Sequence, residues 1–212
     1  MNVLLKEARQ LANYLESINY KDFVFTPPVP YNHIGALFTD IILQSGLNYT
    51  TVVRPRVARV FRLFPDAYSI SNFESSINEH GIKHVINWQN EIKANRILAL
   101  IKHSKVEGIE FENDLRDYLT INENCTKLLL INGIGSKTLD YTLKLLCVDT
   151  VAVDRHVFSF IQKAGIIRND YYEVKAIVEY AADLLESSRI KLDTFIWRTM
   201  SKNHNVQQSF SF

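Results

Sequence analysis

Apolar residues along this chain recur at three- and four-residue spacings far more often than they alternate, the pattern of amphipathic helices that bury one face. Between residues 33 and 44 the stripe is Ile34, Leu37, Phe38, Ile41 and Ile42. A second stripe, Val57, Val60, Phe61 and Phe64, follows Pro55, whose fixed φ and missing N–H suit the first turn of a helix. Upstream, an amphipathic helix is expected over about residues 2 to 18, separated from the rest by prolines at 27, 28 and 30. Shorter helices are expected around 70–79, capped by Ser71 or Asn72, and over 90–103, 111–119 and 124–131. Gly133 stops the last of these, and the next begins near Ser136. Three more are expected over 154–164, 171–187 and 191–202. Strand signals are scarce, since the β-branched stretch Val148 to Val153 is short. The pattern therefore predicts an all-α fold, with a tail, Val206–Phe212, that frays unless its two aromatics dock.

Composition narrows the class without changing that picture. At 212 residues the chain can form one large domain or two small ones, and 47% hydrophobic with 22% charged residues is ordinary for a soluble protein. The longest apolar runs, such as the one ending at Leu130–Ile131, fall short of the roughly 20 residues a membrane span needs. The first residues mix acidic and basic side chains and lack the pattern of a signal peptide. No membrane association is expected, and a cytoplasmic location follows (nucleoid-associated, or nuclear in a eukaryotic cell). Two cysteines, Cys125 and Cys147, exclude a disulfide framework and cannot fill a four-cysteine zinc or iron–sulfur site. They read as small buried hydrophobes. A net charge of +1 is low for a protein that binds DNA mainly by electrostatics. A nucleic-acid partner would require the cations to gather on one face. Arg54, Arg56, Arg59 and Arg62 along one helix are candidates for such a stripe, against the default of an ordinary solvated face.

The chemistry concentrates in residues 126 to 160. An apolar helix runs into Asn132-Gly133-Ile134-Gly135, and a second helix starts at Ser136-Lys137-Thr138. Two glycines flanking one aliphatic residue make a tight hairpin whose backbone can approach another molecule closely, with Ile134 plugging the space between the helices. The N–H groups that follow sit at a helix N-terminus, where orphan donors and the dipole both favour an anion. Gly133, Ile134, Gly135, Ser136 and Thr138 thus form a candidate phosphate clamp that ignores base sequence. A nucleotide-binding P-loop would need glycine immediately before Lys137 and another at 131. Ser136 and Ile131 stand there, and the preceding segment is helical. The plain alternative is a helical turn carrying a surface lysine.

The stretch Leu130-Ile131-Asn132-Gly133-Ile134-Gly135-Ser136-Lys137-Thr138, followed by Val151-Ala152-Val153-Asp154-Arg155-His156-Val157, resembles the helix–hairpin–helix (HhH-GPD) DNA glycosylase superfamily. That group includes endonuclease III and the 8-oxoguanine glycosylases. Weaker likeness extends over roughly residues 31 to 200. The resemblance implies two α-helical domains with an active-site cleft between them. A central barrel over 32–148 would end in the hairpin, and residues 1–31 with 149–212 would form the second domain. It also implies a monomer acting on double-stranded DNA that contains a damaged or mismatched base. The family's iron–sulfur pattern is missing after Trp197, so no such cluster is expected, and a monovalent cation at the hairpin is the remaining cofactor candidate.

The chemistry explains why those two residue types matter. Breaking an N-glycosidic bond develops positive charge on the sugar, which a nearby carboxylate stabilises, and Asp154 is the candidate. Asp154 also stands where it could cap the following helix. By resemblance, members with lysine at position 137 are bifunctional: the amine attacks C1′, forms a Schiff base and nicks the strand by β-elimination. A helix N-terminus and partial desolvation both disfavour the ammonium form there. The target nucleotide must leave the duplex, and Gln44, Leu47 and Asn48 are candidates to fill the hole. Gly46 falls where many members place glutamine. Arg155 is a candidate phosphate contact, His156 an orienting core histidine, and Trp88, Trp197 and Tyr141 core aromatics. The alternatives are a monofunctional glycosylase or a non-catalytic helix–hairpin–helix module that binds DNA.

Overall fold

A computed structural model describes residues 3–201, and among these every regular element is helical. The tail Val206–Phe212 lies outside the described residues. The chain divides into two compact units: residues 29–148 form a central unit, and the flanking segments form a terminal unit.

The central unit holds α2 (Ile34–Leu43), α3 (Arg54–Leu63), α4 (Ile70–His80), the short α5 (Ile82–Val85), α6 (Glu91–Val106), α7 (Glu112–Tyr118), α8 (Asn122–Leu129) and α9 (Ser136–Leu145). Its axis is α2, which packs against α3, α4, α6 and α9 and has all ten residues buried. Such a helix is apolar at almost every position, Thr39 and Asp40 apart, because every face has a neighbour. Gly35 lets α4 come close, since a Cβ there would lie 2.9 Å from the Phe73 ring. His33 caps α2: its Nδ1 accepts from the N–H of Ala36 at 3.1 Å, which leaves the proton on Nε2 to donate to the Phe64 carbonyl at 3.0 Å. Burial pushes this imidazole toward its neutral form, the form that double role needs.

The terminal unit holds α1 (Val3–Ser17), α10 (Arg155–Lys163), α11 (Tyr171–Leu184) and α12 (Arg189–Ser201). One face of α1, with Ala8, Leu11, Ala12 and Leu15, is buried, and α1 packs on α11, which buries Val174, Ile177, Val178 and Ala181. Arg168 ties the two by reaching Glu7 and Glu173 at 3.1 and 3.2 Å.

Most expected helices lie within two or three residues of their observed bounds. The cap of α4 is Ser69, whose hydroxyl accepts from Asn72 N–H, not Ser71 or Asn72. The helix expected over 124–131 instead spans Asn122–Leu129. Val148 to Val153 forms no strand; Val151 and Val153 extend into the terminal unit's core and lead into the Asp154 cap. Three elements carry no sequence signal strong enough to predict them: a short 3-10 turn over Tyr20–Asp22, α5 and a π-type turn over Tyr49–Val53. Both cysteines are half-buried. No helix among the described residues is long and apolar enough to cross a membrane.

Candidate active site

The hairpin forms as its residues dictate. After α8, the N–H of Ile134 returns to the carbonyl of Ile131 at 3.0 Å, and Gly133 takes φ 87°, a conformation that costs a side-chain-bearing residue. Ile134 is buried in the central unit's core, plugging the turn as its position suggests. The Arg96 side chain from α6 lies so close that any Cβ on Gly133 would collide with its guanidinium. Gly135 precedes α9 in extended conformation and supplies no side-chain cap, so the first-turn donors of α9 are not capped from position 135. Ser136 is half-exposed, and Thr138 is buried, with its carbonyl accepting from the Thr142 hydroxyl at 2.8 Å.

Lys137 and Tyr141 stand one turn apart on α9, as Asp40 and Gln44 do on the facing α2. The contacts run across the pair. Lys137 Nζ donates to Gln44 Oε1 at 2.5 Å and sits 5.8 Å from the centre of the Tyr141 ring. Tyr141 in turn donates its hydroxyl to Asp40 Oδ1 at 2.9 Å. Two further hydroxyls, of Tyr31 and Tyr49, donate to Asp40 Oδ2 at 2.6 and 2.9 Å. Asp40 is fully buried. Burial pushes its carboxyl above the ordinary range, while the three hydroxyls and the Lys137 charge hold it down without cancelling that effect. The same burial, with Asp40 beside them, drives all three phenols upward, so they stay protonated donors.

A second amine flanks this group. Lys93 from α6 donates Nζ to the carbonyls of Ile42 and Ser45, both at 2.8 Å, closing the C-terminal end of α2. Desolvation first, then the positive charges of Arg96 and Lys137, bring Lys93 down to about 8. The Arg96 Nε atom is buried with no hydrogen-bond partner.

The wedge candidates all find partners inside the unit. Gln44 is buried and holds Lys137 instead of standing out of the loop. Leu47 packs on the small cluster of Ala36, Leu43, Val53 and Val57. Asn48 caps the Tyr49–Val53 turn by accepting from Thr51 N–H at 3.0 Å. Of the arginine stripe, Arg56 donates to the carbonyls of Val52 and Asn87, and Arg59 to those of His84 and Val85. These two close backbone ends; Arg62 is exposed. Trp88 lies under the Arg56 guanidinium at 5.0 Å, its Nε1 buried without a partner.

In the terminal unit, Asp154 is the N-cap of α10. Its Oδ1 accepts from His156 N–H at 2.8 Å and Val157 N–H at 3.1 Å, so the cap does not use Oδ2. Arg155 next to it is exposed, and His156 is half-buried. Among the described residues, no group of three or more His, Cys, Asp or Glu is placed to hold a metal ion.

Sequence reasoning missed Asp40, Tyr31, Tyr49, Lys93 and Arg96. One signal was present: Asp40 is the lone charged residue in an otherwise apolar or small ten-residue segment. Comparison of the chain with family models, with curated protein sequences and with solved structures finds no match.

Proposed function

We propose that this protein is a base-excision DNA glycosylase with an associated lyase activity, Lys137 being its amine nucleophile and Asp154 its carboxylate. The observation that carries the reading is the placement of Lys137. Its amine lies in the first turn of a helix opened by the 132–135 hairpin, held by the neutral carboxamide of Gln44. A phosphate on the hairpin and the first-turn N–H groups would bring a deoxyribose to that amine without reading base sequence.

In the proposed reaction the extruded base leaves C1′ with the bonding electrons and takes up a proton. Positive charge develops on the sugar, and Oδ2 of Asp154 stabilises it. The unprotonated Nζ of Lys137 bonds to C1′. Opening of the sugar ring then gives a protonated imine between Nζ and C1′. Loss of a C2′ proton expels the 3′ phosphate and nicks the strand, and water releases the lysine from the imine. None of these steps calls on a redox cofactor. The damaged base is selected by the shape of a pocket assembled from several helices, and a panel of substrates identifies it.

The test uses duplexes that each carry one lesion, assayed for base release with and without alkali. Wild-type protein is expected to release one class of base and to cleave the strand without alkali. Asp154→Asn is expected to abolish base release while DNA binding stays or tightens, because the lost charge faces a polyanion. Equal loss of binding and turnover would favour a DNA-binding module, and base release with cleavage only in alkali a monofunctional glycosylase. Binding that ignores salt would remove DNA as the partner.

A further inference from the structure

An ionisable residue at the centre of a wholly buried helix calls for a reason. Moving a carboxylate out of water costs several kcal/mol, and well-packed apolar residues usually stabilise a core at least as well as a buried polar cluster does. Stability alone therefore does not account for Asp40 and the three tyrosines that converge on it. Their geometry does point somewhere. The hydroxyl bond from Tyr141 to Asp40 fixes the ring that underlies the Lys137 amine, and Gln44, one turn beyond Asp40, accepts from that amine. One bond thus ends on Nζ of Lys137, and the other fixes the aromatic ring 5.8 Å from it.

Resting on the function proposed above, we infer that Asp40 is a positioning residue for the Lys137 amine, acting through Tyr141 and through its own charge. Tyr31 and Tyr49 hold the carboxylate in place from outside α2 and α9. Two opposing influences reach Nζ. The Asp40 carboxylate favours the ammonium ion, and the Lys93 ammonium disfavours it. Asp40 thereby keeps the amine in register against Gln44, while Lys93 keeps its proton removable. Asp40 is enclosed by the unit and does not touch DNA, so its effect shows on the amine and not on affinity.

The experiment reads the proton affinity of Lys137 in the whole protein without DNA, by competitive acetylation with acetic anhydride across pH and mass spectrometry of the Lys137 peptide. Asp40→Asn keeps the shape and removes the charge. The Lys137 labelling midpoint is expected to fall by about one pH unit, since an adjacent opposite charge typically moves a titration by one to three units. Duplex affinity is expected to stay within about twofold, and the pH profile of any strand cleavage is expected to move the same way. Tyr141→Phe keeps the ring and removes one donor, so a smaller downward shift is expected, and it serves as the test if Asp40→Asn does not fold. An unmoved midpoint in a folded Asp40→Asn protein, or in Tyr141→Phe if that variant is needed, overturns the positioning role even if the enzyme is active. Absence of base release from every duplex overturns the functional reading instead, whatever the labelling shows.

Discussion

Asp154 caps α10, and the proposed reaction asks a second role of it; the two can be separated. As the N-cap of α10 it accepts two backbone N–H bonds through Oδ1, a role asparagine fills about as well. As a charge-stabilising group it must be ionised, which asparagine cannot be. Asp154→Asn should therefore hold the wild-type unfolding midpoint in urea while losing base release, whereas Asp154→Ala should lose base release and also about 1 kcal/mol of stability. An Asn variant as unstable as the Ala variant would show that the carboxylate does more for the fold than cap a helix. The Asp154 cap and the hairpin that carries Lys137 were legible in the sequence because each is a local motif. Asp40 was not legible in the same way. A single charge inside an apolar stripe says that something must satisfy it, but its donors come from three separate segments, and only the folded chain brings Tyr31, Tyr49 and Tyr141 together.

At the scale of elements, the hairpin between α8 and α9 depends on two features that act together. Gly133 adopts positive φ, and the Arg96 side chain from α6 fills the space a Cβ would take. Gly133→Ala is expected to destabilise the protein by about 1–2 kcal/mol from backbone strain, plus whatever moving Arg96 costs. In thermal or urea unfolding, adding Arg96→Ala should make the double variant lose less than the sum of the two single losses, because only the steric part is shared. Strict additivity would mean that Arg96 yields freely. The helices themselves were legible from apolar spacing, from the stop at Gly133 and from the cap at Asp154, while the caps Asn90 and Asp170, whose side chains accept N–H bonds where α6 and α11 begin, emerge only in the fold. What spacing did not reveal is which ends borrow partners from elsewhere. Arg56 and Arg59 read in the sequence as a solvated face or a DNA-facing stripe, and they, like Lys93, are spent on backbone carbonyls at a helix or turn end. Gln44 similarly looked like a loop residue and is a buried partner of Lys137.

For the whole molecule, a net charge of +1 sets the terms of any DNA binding. With no broad basic excess, the proposed function would draw its affinity from a few placed groups, with the hairpin N–H donors and the exposed Arg155 and Arg62 as candidates. The logarithm of affinity should fall with the logarithm of salt by about 0.9 per phosphate neutralised. Arg155→Ala should make that slope shallower by about one if its guanidinium meets a phosphate, with little change between DNA sequences. An unchanged slope removes Arg155 from the interface. The measurement that bears most directly on the central claim is borohydride trapping on the lesion duplexes, followed by peptide mapping of the cross-linked residue. Wild-type protein should form a covalent complex whose sugar remnant maps to Lys137, and Lys137→Ala should form none. Base release with no complex, or a complex mapped to Lys93, would contradict Lys137 as the nucleophile.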